Sequence, residues 1–367
     1  MSNKSSTPSL QLIQSKLEHF PPYISRYVHY KKIGNSVENT VSNYLIDFRT
    51  FFEWLCDEGY YSGEIREVPL SILEKLRLED IQRFIEYRRS QEADRTVNRR
   101  LAALKDLFYY LSQLAEDHEG FPIMRRNVMA KVKLLKIDES ESFRANQIHE
   151  KILHVNEQHN EVQEFLEFIR TGYPTLYPDN KKIQNFHQKN RERDIAILSL
   201  FLDSGLRAFE LVGLNVDDVQ FKGNFVFLHK GKGNKKDTVI FGDMAYVALK
   251  DYVAIREKRY GLEKDFPPLF VSSGTGPKGK PQRMTKRAIQ AMVEKYAKAF
   301  EKPSLTVHKL RHTFATRFHQ TNNDVVKLKR QLRHRSIQTT MIYTHVSDPD
   351  LKDAVVRTND FTPRVEE

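Results

Sequence analysis

Two histidines, an arginine and a tyrosine near the C-terminal end of the chain stand at spacings that suit attack on a phosphodiester. They are His308 and Arg311 in His308-Lys309-Leu310-Arg311-His312-Thr313, His334 in Leu332-Arg333-His334-Arg335-Ser336, and Tyr343, nine residues further on. Between Lys302 and Arg335 there are nine Lys or Arg against one acid, Asp324, a net +8 in a chain whose whole excess is +11. Positive charge gathered beside a nucleophile points to a polyanionic substrate. Alone, His-x-x-Arg is a weak signal. It gains weight from its company: Arg207 in Gly205-Leu206-Arg207, and a cluster of lysines around Lys232.

These residues need elements to hold them. Leu310, Phe314 and Phe318 recur at helical spacing and predict a helix from about residue 306, with His308 and Arg311 on a side away from that apolar face. Residues 193–203 are apolar almost throughout, which predicts a helix buried on all sides, and Gly205 is placed to cap it. That puts Arg207 at the mouth of a buried helix. Phe225 to Leu228 and Thr238 to Phe241 read as strands flanking Lys230-Gly-Lys232-Gly-Asn234-Lys235-Lys236, a β-hairpin with four lysines at its tip. Further helices are expected over residues 246–260 and 285–300, and helical patterns over 150–169, followed by a Pro- and Asn-rich loop over 173–185.

The first half reads as all-helical. Val41, Tyr44, Leu45, Phe48, Phe52 and Leu55 fall on one helical face, with Gly59 past its end. A second helix follows Leu78, and a third runs from about residue 96 to 114 with Leu101, Leu104, Phe108 and Leu111 inward. The start of the third, Arg95-Thr96-Val97-Asn98-Arg99-Arg100, is basic, and a helix N-terminus of this kind can lie against a DNA backbone. A solvated basic face reads equally well. The apolar period fails over residues 137–146, which places a domain boundary there. Residues 1–142 are then a helical, DNA-binding module, and residues 143–367 a catalytic domain with a C-terminal tail.

A chain of 367 residues favours two domains, and 40% hydrophobic with 29% charged residues excludes wholesale disorder. The single cysteine, Cys56, cannot form an internal disulfide and reads as a small core residue. No apolar run spans a bilayer and the start of the chain has no signal-peptide core, so the expectation is a cytoplasmic protein with no membrane insertion.

The ordered set resembles the tyrosine recombinases, the integrase-type site-specific DNA recombinases. Gly205-Leu206-Arg207-x-x-Glu210-Leu211 is similar to their first arginine motif, the lysine-rich turn to their hairpin lysine motif, and His308-Lys-Leu-Arg311-His312-Thr-Phe-Ala-Thr316 to their His-x-x-Arg helix. Ile342-Tyr343-Thr344-His345 is similar to their nucleophile motif. Within the family the Xer branch is most similar, in particular its single-recombinase XerS group, through Val68-Pro-Leu-Ser-Ile-Leu-Glu74, Arg126-Asn-Val-Met129 and Lys189-Asn-Arg-Glu-Arg-Asp194. One departure is plain. The family has glycine before its second histidine, where this chain has Arg333; either the backbone does not need glycine's freedom there, or Arg333 reaches a phosphate.

The resemblance implies a mainly α fold with a small β-hairpin or sheet, a helical core-binding domain and a C-terminal tyrosine-recombinase catalytic domain. It implies a catalytic set of Arg207, Lys232, His308, Arg311, His334 and Tyr343. Arginines suit the phosphate because each guanidinium offers a planar pair of donors to the non-bridging oxygens. Tyr343 would form a 3′-phosphotyrosine, His308 take its proton, and His334 hydrogen-bond the phosphate. Lys232 would protonate the departing 5′ oxygen, with Lys230 and Lys235 as rivals. Glu210 would orient Arg207. His312 and His345 read as bland helix or surface histidines. Candidate DNA contacts are Arg95, Asn98, Arg99, Arg100, Lys230, Lys235, Arg333 and Arg335.

No cofactor and no metal are expected, since the phosphotyrosine keeps the bond energy. The expected partners are double-stranded DNA with a short inverted-repeat site, three further copies in a homotetramer on two sites, and an FtsK-type DNA translocase. The expected role is resolution of chromosome dimers at a dif-like site. A mobile-element integrase and a non-recombining DNA-binding protein on the same fold are the alternatives.

Overall fold

The computed structural model describes residues 8–34, 38–156, 158–229, 237–274 and 279–344. Lys230, Lys232 and Lys235, His345 and the C-terminal tail lie outside the described residues. The chain divides into two compact units, Met1–Asp138 and Glu139–Glu367.

The first unit is built from α1 (Pro8–Leu17), α2 (Pro22–Ile33), α3 (Glu38–Asp57), α4 (Leu70–Lys75), α5 (Leu78–Arg89) and α6 (Asp94–Tyr109). The period that predicts α3 is the period that is buried: Val41, Leu45, Phe48, Phe52 and Leu55 are within 2% of complete burial, as are Phe51 and Trp54 beside them. Burying each such side chain contributes roughly 1.5–3 kcal/mol. Phe51 stacks on Trp54 and meets Phe84 of α5 edge-on at 5.1 Å, so the aromatic residues tie α3 to α5. Cys56 is half-buried against this core. Helices α1, α2 and α4 were not delimited by the apolar pattern; α2 and α4 each follow a proline, which opens a helix without losing a bonded N–H.

The second unit contains α7 (Glu141–His149), α8 (Glu161–Glu167), the single turn α9 (Tyr173–Thr175), α10 (Lys181–Ser204) and α11 (Ala208–Gly213). A three-stranded antiparallel sheet follows, ordered β1 (Val219–Gln220), β2 (Phe225–Leu228), β3 (Asp237–Ile240). Then come α12 (Asp243–Tyr260), α13 (Lys286–Ala299), α14 (Val307–Asn322), α15 (Val325–Leu332) and α16 (Gln338–Met341). Helix α10 is the axis of the unit, packed by α12 and α14, and from Arg193 to Leu202 every residue is buried. It begins at Lys181, inside the stretch expected as loop, because the Asn180 side chain caps it by accepting from Ile183 N–H. In the sheet, Val226, Leu228 and Val239 face the core while Phe227 and Thr238 pair on the open face.

Gly205 is fixed by two constraints. It sits in the left-handed region at φ 66°, and a Cβ there would lie 2.5 Å from the Phe314 ring and 2.8 Å from Leu332. The turn after α10 therefore packs directly on α14 and α15, the helices that carry the basic motifs.

Candidate active site

Arg207 is the residue before α11, extended at φ −83°, ψ 151°. The buried Glu210, one helical turn on, holds it at two points. Its carboxylate accepts from the Arg207 backbone N–H at 2.7 Å and from Nη1 at 2.9 Å. The carboxylate at the start of the helix also suits the helix dipole.

Arg311 is carried by α14, which opens at Thr306, whose hydroxyl accepts from Lys309 N–H. Its guanidinium is buried, donating to the Gly205 carbonyl through Nη1 and to the Leu332 carbonyl through Nη2 at 2.6 Å. The faces of α14 differ from the sequence expectation. Leu310 is fully buried, but Phe314 and Phe318 are only half-buried, while Arg311, Thr313, Ala315 and Thr316 are interior. Arg311 reaches the site through the protein, not across an exposed face.

Three successive carbonyls at the C-terminal end of α15 each receive an arginine. Gln331 O accepts from Arg333 Nη1 at 2.6 Å, Leu332 O from Arg311, and Arg333 O from Arg207 Nη2 at 3.3 Å. These carbonyls lack intrahelical partners and carry the negative end of the helix dipole, so cations gather there. Burial, then Arg207 and Arg333, bring the Arg311 pKa down to about 9.

His334 lies at the same place. Its Nε2 accepts from Arg311 Nη2 at 3.1 Å, which puts the ring proton on Nδ1, donating to the buried Thr340 hydroxyl at 2.9 Å. Burial and then the neighbouring arginines lower its pKa to about 4. Tyr343 is buried, 3% exposed, in a small cluster with Ala315, Leu328 and Leu332. Its hydroxyl is hydrogen-bonded to His312 Nδ1 at 2.9 Å. Burial pushes the phenol up to about 12, opposed by the charges of Arg311 and Arg207. His312 is held down to about 3, by burial first and then His308. It is neutral at physiological pH and can accept. His308 lies one turn earlier on α14, more exposed, its ring 4.4 Å from that of His312.

Arg207, His308, Arg311, His334 and Tyr343 thus stand in one neighbourhood of the second unit. Lys232 and its rivals Lys230 and Lys235 are outside the described residues. Of the expected DNA contacts, Arg95 and Arg335 are exposed. Three others point inward. The Asn98 side chain exchanges two hydrogen bonds with the Leu135 backbone, at 2.9 and 2.7 Å. Arg100 is buried against Glu92 and Asp47, and Arg333 donates to Glu210 at 2.6 Å. Arg99 is half-exposed and paired with Asp47. Position 333 also answers the question raised by its missing glycine. Its backbone is left-handed, φ 55°, so glycine's freedom would serve it, and its guanidinium turns into the protein.

Two features were misjudged from sequence. His312 read as bland, yet it holds the tyrosine; the available signal was its place four residues after His308, on the same side of the helix. Arg100 read as a surface cation, yet it falls three residues after Val97 and four before Leu104, on the apolar face.

Comparison with known proteins adds an independent line. A model described as "Phage integrase family" matches residues 158–349, and one described as "Phage integrase, N-terminal SAM-like domain" matches residues 24–113. "Tyrosine recombinase XerS" of Streptococcus sanguinis (strain SK36) is 35% identical over 358 residues, 94% of this chain and 98% of that protein. The protein of the same name from Streptococcus agalactiae serotype III (strain NEM316) is 36% identical over the same shares. Among solved structures, the XerH site-specific recombinase bound to palindromic difH substrate, a post-cleavage complex, matches with a TM-score of 0.64 at 19% identity, over 98% of this chain and 92% of that one. The Tn1549 transposon integrase in complex with circular intermediate DNA matches at 0.58 and 18%, over 91% and 99%. These likenesses show the fold.

Proposed function

The chain belongs to the phage integrase family and is a site-specific tyrosine recombinase, and on that premise we propose a residue-level mechanism and a role. Tyr343 Oη attacks the scissile phosphorus; a P–O(Tyr) bond forms, the bond to the 5′ oxygen breaks, and the DNA is left as a 3′-phosphotyrosine. Rejoining reverses these steps, and the conserved bond energy makes ATP and a metal unnecessary.

The observation that supports this reading best is the convergence of Arg207, Arg311 and His334 at the last carbonyls of α15, with the buried Tyr343 hydroxyl 2.9 Å from His312, the residue after Arg311 on α14. Each guanidinium has part of its donor set tied to carbonyls or Glu210, which fixes its plane before substrate arrives; the remaining donors bind the non-bridging oxygens as charge builds. His312 directs the phenolic O–H, and His308, on the exposed side of the imidazole pair, passes the proton to solvent. Thr340 can donate as well as accept, so His334 can move its proton to Nε2 and donate to the phosphate. Lys232, which falls between β2 and β3 in the sequence, protonates the 5′ oxygen.

The proposed substrate is double-stranded DNA with a short inverted repeat. Residues 1–142 bind one face, residues 143–367 carry the chemistry, and the tail after Val346 links copies in a tetramer. Phosphate contacts supply most of the affinity and make it salt-dependent. The likeness to proteins named XerS favours resolution of chromosome dimers at a dif-like site in the cytoplasm, with an FtsK-type translocase. Among the described residues no helix is long and apolar enough to cross a membrane.

The test is an adduct assay. Wild-type protein incubated with labelled, nicked site DNA should give a covalent protein–DNA band, and Tyr343→Phe should bind the same DNA and give none. Absence of the band from wild type on a genuine site would overturn the mechanism.

A further inference from the structure

Arg333 is kept at two physical costs. Its backbone is left-handed at φ 55°, a conformation L side chains disfavour, and its Nε is buried with no hydrogen-bond partner. A strained residue beside reacting groups is a place to look for function. What it gains is specific. Nη2 donates to Glu210 Oε2 at 2.6 Å and Nη1 to the carbonyl of Gln331 at 2.6 Å. Glu210 is the same carboxylate that accepts from Arg207, on its other oxygen, at 2.9 Å. The Arg333 carbonyl in turn accepts from Arg207 Nη2. Residue 333 therefore grips Arg207 from two sides, once through its own backbone and once through a shared acid.

The charge count gives the consequence. An Arg207–Glu210 pair alone would leave the first phosphate-facing arginine neutralised by its own anchor. With Arg333 on the second carboxylate oxygen, two guanidinium groups share one negative charge, and Arg207 keeps more of its field for a phosphate in front of it. Resting on the recombinase reading above, we propose that Arg333 is a positioning residue for strand cleavage: it neutralises Glu210 and clamps Arg207, making the site more positive toward the scissile phosphate.

The experiment compares wild type, Arg333→Gly and Arg333→Lys in single-turnover cleavage of nicked site DNA carrying either an ordinary scissile phosphodiester or a methylphosphonate. The methylphosphonate lacks one anionic oxygen and so depends less on the arginine field. Glycine relieves the backbone strain and so offsets part of the loss of the buried pair with Glu210; Arg333→Gly should fold, with a Tm at or modestly below that of wild type. It should cleave the phosphodiester about tenfold more slowly, in the range expected for weakening one electrostatic contact, with DNA affinity within about twofold of wild type. Arg333→Lys, which keeps the charge, should recover part of that rate. On the methylphosphonate the wild-type and glycine rates should converge to within about twofold. Equal phosphodiester rates, or the same slowing on both substrates, would overturn the proposal. If wild type forms no adduct on either DNA, the recombinase mechanism itself has failed, a result distinct from a failure at Arg333.

Discussion

Each unit of this molecule holds a cluster of three arginines, and the two clusters are wired differently. In the first unit Arg88, Arg99 and Arg100 face two acids, Asp47 and Glu92. Arg100 donates to Glu92 at 2.8 and 2.6 Å and to Asp47 at 2.9 Å, and Arg88 and Arg99 take the remaining carboxylate positions. In the second unit Arg207 and Arg333 share one acid, Glu210, while Arg311 is hydrogen-bonded, among the described residues, only to the Gly205 and Leu332 carbonyls and to His334. The protonation equilibria record the contrast. The Arg100 pKa is raised by its hydrogen bond to Glu92, and Glu92 is held near 2, chiefly by Arg100. The Arg311 pKa falls to about 9. Arginine on carboxylate makes a closed structural knot. Arginine on carbonyl is oriented without being neutralised, so its charge stays available to a ligand.

The largest expected effects separate the two clusters by type of damage. Arg311→Lys should lower the cleavage rate by about 10² to 10³, because one ammonium cannot hold the Gly205 and Leu332 carbonyls and still present two parallel donors to a phosphate. DNA binding should fall far less, as a gel-shift titration would show. Arg100→Met should do the reverse. It leaves Asp47 and Glu92 short of a buried partner and should cost about 3 kcal/mol of stability in a denaturant melt. The cleavage rate per folded molecule should stay within about twofold. If Arg100→Met slows cleavage as much as Arg311→Lys does, the division between knot and site is wrong.

What separates the two clusters was only partly legible in the sequence. The frame was legible: apolar spacing predicts α3, α5, α6, α10, α13 and α14, and Gly205 marks the turn that delivers Arg207. Local contacts were legible too, since Arg207 and Glu210 lie one helical turn apart. Contacts across the chain were not. Arg333 meets Glu210 across a sequence separation of 123, and Asn98 meets Leu135 across one of 37. No period or motif encodes such pairs, because the first depends on how α15 packs against the turn after α10 and the second on how the chain near Leu135 lies against α6. Charge type misleads for the same reason: a basic residue in the sequence is a DNA contact or an internal tie according to where its partner acids fold.

His312 offers a sharper test of the second cluster, with a smaller effect. Its Nδ1 is hydrogen-bonded to the Tyr343 hydroxyl, which it can accept from when the ring proton is on Nε2. His312→Asn keeps an acceptor near that position and His312→Phe removes it while filling the space. The phenylalanine variant should cleave about tenfold more slowly, the loss of one aligned hydrogen bond at the nucleophile, and the asparagine variant should recover part of the rate. DNA affinity should not move in either. If both variants cleave at the wild-type rate, the contact to His312 is a resting position of the tyrosine with no part in its attack.

Acid should soften the units in different pH windows. His312 and His334 have folded pKa values of about 3 and 4, against an ordinary 6.5. Above pH 6.5 neither state of either histidine binds a proton, and they add no pH dependence. Below it the unfolded chain takes up protons that the folded chain refuses until about pH 4, so stability of the second unit falls as pH drops through that window. The slope is at most about 1.4 kcal/mol per pH unit for each histidine. Glu92 works lower. With a folded value of about 2 against 4.5, its stabilisation of the first unit is complete above pH 4.5 and is lost only below it; Asp47, raised by burial, opposes that loss in part. The sole tryptophan, Trp54, is buried in the first unit and reports on it alone, while amide exchange along α14 and α15 reports on the second. Between pH 6.5 and 5, exchange protection in α14 and α15 should fall while the Trp54 melting temperature holds. A Trp54 transition that moves first, or protection unaffected by His312→Phe, would show that the acid response does not originate in these histidines.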